Sequence, residues 1–84
     1  MTIKPLVARG RVIAAGRMLA GLDQAGLAAA AGVSASTVSK VERGGADVRE
    51  NTLAAIKQAL GRLGIDLTQN GRTGLHAAGT SYGA

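Results

Sequence analysis

The chain of 84 residues has no cysteine, no tryptophan and no phenylalanine, one proline, and one aromatic residue, Tyr82. Without cysteine there can be no disulfide, no zinc finger and no thiol chemistry, and the composition accords with a reducing cytoplasm. Without aromatic bulk, a core must be assembled from Leu, Ile, Val, Ala and Met, a set that suits interdigitated helices. No apolar run approaches the ~18 residues that a membrane span needs. Lys4, Arg9 and Arg11 stand near the start with no apolar segment after them, so no signal peptide is expected. His76 is the only histidine and has no second ligand near it in sequence, so neither a metal nor a cofactor is expected.

What is present is apolar and basic. Hydrophobic residues make up 46% of the chain, enough to exclude compositional disorder, and ten Lys/Arg against five Asp/Glu leave a formal net charge of +5. That balance favours a polyanionic partner, nucleic acid or an acidic surface. The acids are scattered, with no paired-carboxylate pattern. Ser34, Ser36 and Ser39 have no histidine base at usable spacing. Gly44-Gly45 lacks the Gly-Lys-Ser/Thr of a phosphate loop. The chain is therefore not expected to be an enzyme.

Periodicity and punctuation divide the chain. Residues 1–7 read as an arm, with Pro5 barring an earlier helix start. A helix is predicted from about Ala8 to Ala20, with Ile13, Gly16, Arg17 and Ala20 on one face. Asp23 reads as the cap of a second helix from Gln24 to Ala31, and Gly32 as its stop. Ser34 reads as the cap of a third, Ala35 to Arg43. A fourth starts at Asn51 or Thr52, carries Leu53, Ile56 and Leu60 on one face, and closes the helical part, residues 8–64. Beyond it, Ile65, Leu67 and Gln69 alternate, Asn70-Gly71 offers a two-residue turn, and Thr73, Leu75 and Ala77 follow. Strands at 65–69 and 72–77 are expected, then a loose tail at 78–84.

The stretch QAGLAAAAGVSASTVSKV, residues 24–41, is the most informative. Two helices meeting steeply across a short turn need a small side chain at the crossing, which Ala28 supplies. The turn needs a residue tolerant of positive φ, and Gly32 supplies it. Val38 and Val41, with Leu27 and Val33, point apolar groups back inward.

With Ile13, Arg17, Gly21-Leu22, Gln24, Leu27-Ala28, Gly32-Val33-Ser34, Ser36-Thr37-Val38-Ser39, Val41-Glu42-Arg43-Gly44 and Thr52-Leu53 through Ala59-Leu60, residues 12–64 resemble the helix-turn-helix family of Cro and the phage repressors, the Xre family. The resemblance implies an all-α, λ-repressor-like domain of four or five helices, followed here by the short strand or hairpin. It implies that helix 35–43 is a recognition helix for the DNA major groove. It implies that Gln24 bonds a phosphate or orients that helix, and that Arg17 and Glu42 form an ion pair. Such a pair makes physical sense, because both charges fall on largely apolar faces. Two departures stand out: Asp23 replaces the usual Ser or Thr cap, and Gly26 replaces a charged helix former, at roughly 1 kcal/mol of helix propensity.

On the recognition helix the hydroxyls of Ser34, Ser36, Thr37 and Ser39 could bond groove edges, the methyls of Ala35 and Thr37 suit thymine, and Lys40 could reach guanine or phosphate. Short side chains require close approach, so DNA shape should contribute to specificity. Arg43 is a candidate phosphate or base contact, Arg49 is a candidate phosphate contact, and so are the free amides near Asn51. Lys57, Arg62 and Arg72 read as surface charge. The expectation is a cytoplasmic, nucleoid-associated transcriptional regulator, a repressor or autoregulator, acting as a homodimer on a palindromic operator. Its dimer element would be the C-terminal segment with Ile65, Leu67 and Leu75, or else helix four. The rival reading is a protein-interaction module, an antitoxin or antiactivator, that captures a partner protein.

Overall fold

A computed structural model describes residues 3–70 and 75–80, with the side chains of 68–70, 75–78 and 80 excepted. Four helices, α1 (Pro5–Leu19), α2 (Gln24–Ala31), α3 (Ala35–Glu42) and α4 (Glu50–Arg62), precede strands β1 (Ile65–Asn70) and β2 (Leu75–Thr80). The predicted all-helical domain with a C-terminal hairpin is what forms.

Pro5 opens α1 rather than delaying it to Ala8. It sits in the first turn, where proline has no hydrogen bond to lose and its fixed φ already suits a helix, and the Ala8 amide donates to the Lys4 carbonyl at 3.0 Å. The hairpin register also differs from expectation. β1 and β2 pair antiparallel with Asn70 opposite Leu75 and Ile65 opposite Thr80. Asn70 is therefore a strand residue rather than the first residue of a two-residue turn. Ala78, Gly79 and Thr80, expected in a loose tail, belong to β2. The positions of Gly71, Arg72, Thr73 and Tyr82, and the side chains of Leu75 and His76, lie outside what is described.

The core is aliphatic, as the lack of aromatics requires: Ile13, Leu27, Ala28, Val38, Val41, Ile56, Ala59, Leu60 and Ile65 are buried together. α1 reaches this core through two glycines, each with a distinct packing reason. A Cβ on Gly10 would stand 2.5 Å from the Val41 carbonyl oxygen and 2.6 Å from that of Glu42, so α1 crosses the end of α3 backbone to backbone. A Cβ on Gly16 would stand 3.1 Å from Ile65 Cγ2 and 3.2 Å from Leu67 Cδ2, so the hairpin lies on α1 at that point.

That contact sets Ile65 and Leu67, expected in the dimer element, against α1 of their own chain. Ile65 is only 3% exposed and belongs to the core of its own chain, and Leu67 packs partly buried against the same core. Both approach α1 of the same molecule at Gly16, where the absence of a side chain leaves room for them. Among the described residues no helix is long and apolar enough to cross a membrane.

Two outcomes follow from this packing. Gly10→Ala should lower stability by about 1–3 kcal/mol, since the clash is with backbone. Gly61→Ala, in open space on α4, should leave stability unchanged or raise it by up to about 1 kcal/mol. Thermal denaturation of the pair distinguishes tight packing from a general glycine effect. Ile65→Ala should cost about 2–5 kcal/mol in chemical denaturation with no change of oligomeric state by light scattering; subunit dissociation without loss of stability would contradict the intramolecular role.

Candidate nucleic-acid interface

Each element of the α2–α3 unit is set by local chemistry. The Asp23 carboxylate caps α2 by accepting from the Gly26 amide at 2.7 Å. A side chain at Gly26 would press on that carboxylate at 3.1 Å and on Leu22 Cδ2 at 3.2 Å, so glycine lets the cap and Leu22 close over the helix start. α2 ends at Gly32, whose φ of 71° an L side chain rarely adopts. The Val33 amide then reaches back to the Ala28 carbonyl at 3.0 Å, and Val33 packs against the core. Three residues after α2 the chain enters α3, with Ser34 accepting from the Thr37 amide at 3.1 Å.

The other end of α3 is held by charge. Glu42 accepts from Arg17 Nε at 2.8 Å and Arg17 Nη2 at 3.1 Å, a two-point pair, and from Gln24 Nε2 at 3.1 Å. Arg17 Nη1 also donates to the Leu22 carbonyl at 3.0 Å. One carboxylate thus joins α1, the first residue of α2 and the last of α3. The side chains are 16% and 7% exposed, so solvent screens the pair weakly. The hydrogen bond to Glu42 holds the Arg17 guanidinium above its ordinary pKa, against an opposing effect of burial and with help from the charges of Glu42 and Asp23. With an upward shift, the Arg17 contribution is complete below the unfolded pKa and fades only as pH rises through the folded one, beyond ordinary buffers. Gln24 orients α3 through Glu42 rather than standing free.

With Val38 and Val41 fully buried behind it, α3 presents the opposite edge outward. Ala35, Ser36 and Lys40 are exposed, and Thr37 and Ser39 half-buried. Ser34 is exposed, but its hydroxyl is already engaged by the Thr37 amide, by Thr37 Oγ1 at 2.8 Å and by Ser36 Oγ at 3.1 Å. One donor and two acceptor positions are a hydroxyl's full capacity, so Ser34 can meet a base only by giving up one of these bonds. Arg43 Nε donates to the Ser39 carbonyl at 3.3 Å, which folds this exposed side chain back along α3. Arg49 and Asn51 are exposed at the start of α4, which begins at Glu50, slightly earlier than predicted, and has no side-chain cap.

Thr37, Lys40, Val48, Arg49 and Thr52, with Asp47 across from them, line a hollow of about 170 Å³ between α3 and α4. Lys40 Nζ lies 3.7 Å from Asp47, which is fully exposed. Such a surface pair is worth little and can exchange for another anion. The sequence reading missed Asp47, Val48 and Thr52, because only folding brings the loop opposite Thr37 and Lys40. It also missed Arg62, read as surface charge: its Nη2 donates to the Ala30 carbonyl at 3.0 Å and ties the end of α4 to the last turn of α2. Basic residues that close helix ends are a signal that could have suggested it.

Arg17→Met should cost about 3 kcal/mol, because it leaves the buried Glu42 carboxylate with Gln24 alone. The double variant Arg17→Met/Glu42→Leu should be less destabilised than the sum of the single changes, as chemical denaturation in a double-mutant cycle would read.

No curated protein matches the chain. The helix-turn-helix family matches over residues 13–67, a span that includes the caps, the Gly32 turn and the Glu42 junction described above. The chain therefore belongs to the helix-turn-helix family of the Xre, Cro and CI type, a family of DNA-binding regulators.

Proposed function

We propose that the protein represses transcription, its own gene being the first candidate target, by binding a palindromic operator in the cytoplasm as a homodimer, each copy laying α3 in the major groove. The observation that carries this reading is the outward Ala35, Ser36 and Lys40 edge of a helix pinned from behind by Val38 and Val41. The one acid on α3, Glu42, is neutralised by Arg17, so the helix presents no unpaired negative charge. Two copies would occupy half-sites ~34 Å apart, and occupancy alone suffices to exclude other proteins from a promoter.

In this reading Arg49 and the hydroxyl of Thr52 receive a backbone phosphate in the hollow between α3 and α4, and Thr37 and Lys40, which line it too, reach either that phosphate or a base edge once Asp47 releases Lys40. The uncapped start of α4 at Glu50 and Asn51 adds backbone amides. Arg43 is a second phosphate contact. With Ser34 fixed as a cap, base reading falls to Ala35, Ser36, Thr37, Ser39 and Lys40, all short except the last, and groove shape carries the remainder. Exposed Ile3, Met18, Leu19 and Leu63 favour a second reading, capture of a partner protein by an antitoxin-like module. Apolar residues are common on surfaces, and this reading leaves the basic edge unexplained.

Gel shifts on duplexes from upstream of the protein's own gene, at two salt concentrations, test the proposal. Specific binding that weakens steeply with salt is expected. Lys40→Ala should reduce affinity by ~1–3 kcal/mol. A relaxed preference at one base pair marks base contact, whereas a uniform loss with a salt slope flatter by about one marks phosphate contact. A wild-type protein that shifts no duplex at low salt, and instead forms a one-to-one complex with another protein, would reject the proposal in favour of the second reading.

A further inference from the structure

A second surface is built from α1 and α4 and shares no lining residue with the Thr37 and Lys40 hollow. Arg9, Glu50, Leu53, Ala54 and Lys57 line a groove of about 380 Å³. Glu50, Leu53, Ala54 and Lys57 fall at i, i+3, i+4 and i+7 of α4 and so form one stripe along it. Glu50, Ala54 and Lys57 are exposed, and Leu53 is half-buried with one side on the core.

Among the described residues neither Glu50 nor Lys57 nor Arg9 takes part in an ion pair, and the Arg9 Nε is buried without an acceptor. Glu50 and Lys57 cannot satisfy one another, because seven residues of helix separate them by about 10.5 Å. The stripe does satisfy itself across a two-fold axis. With the axis between Leu53 and Ala54 and a second α4 running antiparallel, Glu50 meets Lys57 of the second copy at each end. In the middle each Leu53 meets the small Ala54 of the other copy. A self-complementary patch of this kind is what an isologous dimer requires.

Resting on the reading of the chain as a paired regulator, we infer that the α4 stripe Glu50–Leu53–Ala54–Lys57 is the surface through which two copies associate, with Arg9 supplying a further cation beside the incoming carboxylate. Ile65 closes the core of its own chain and Leu67 packs partly buried against that core, whereas the α4 stripe is largely exposed. The stripe is two helical turns long, smaller than a standard stable interface, so association is weak in free solution and is reinforced when two copies fill adjacent half-sites.

Charge reversal tests the register. Sedimentation velocity without DNA, over a wide concentration range, should show a concentration-dependent dimer for the wild-type chain. Glu50→Lys and Lys57→Glu each place like charges at both ends of the stripe and should weaken association at least about tenfold. An equimolar mixture of the two variants should dimerise again, as should the double variant Glu50→Lys/Lys57→Glu, because opposite charges then face one another. Unchanged circular dichroism and melting temperature verify that the exposed substitutions leave the fold intact. Single variants that associate like the wild type, a wild-type chain that remains monomeric throughout or pairs only with a different protein, or failure of both restorations would each overturn the inference. Gel shifts on a single half-site report DNA binding separately, so failure there strikes the operator reading and leaves the association result legible.

Discussion

The Glu42 carboxylate governs where the outward helix points. α3 has only eight residues, and a helix so short has little hold on its own orientation. Its start is fixed by the Ser34 cap and the Gly32 turn, but its direction depends on what holds its far end. Arg17 and Gln24 converge there on one acid, from two other helices, and the Leu22 carbonyl ties down the remaining arm of the guanidinium. A half-buried ion pair of this kind adds less net stability than its contacts suggest, since desolvation opposes it. It does favour this geometry, because an unpaired charge in that position would be costly and the present arrangement of the three helices pairs it.

Steric constraint completes what the charge begins. Gly10 lets α1 cross the end of α3 at backbone distance, on the carbonyls of Val41 and Glu42 themselves. Val38 and Val41 then face inward and the Ser, Thr and Lys edge faces out. An edge with short side chains can contact a groove only when the helix comes close, so rigid placement of α3 matters more here than it would with long, adaptable side chains. Ser34 illustrates the same economy: its hydroxyl bonds the Thr37 amide and the hydroxyls of Thr37 and Ser36, and so shapes the helix start.

The C-terminal hairpin supports the helices from below. Gly16 makes the recess, Ile65 and Leu67 occupy it, and Leu60 borders it, so the strand completes a core that helices without aromatic side chains would leave thin. On α4, Glu50 and Lys57 take part in no ion pair among the described residues.

Much of this protein was legible in its residue order. The caps Asp23 and Ser34, the stop at Gly32, the inward Val38 and Val41 and the strand alternation after Gly64 follow from local rules, since each depends on neighbours within a few positions along the chain. The Arg17–Glu42 pair, 25 positions apart, was legible only through family resemblance. Tertiary structure alone decided the rest. It decided that Gly10 and Gly16 are contact points rather than weak spots in a helix, and that Ile65 closes its own core instead of a neighbour's. It likewise decided that Asp47 stands opposite Lys40 and that Arg62 reaches the end of α2. These facts turn on which surfaces meet when the helices pack, and periodicity along a chain identifies an apolar or charged face without naming the face it will meet.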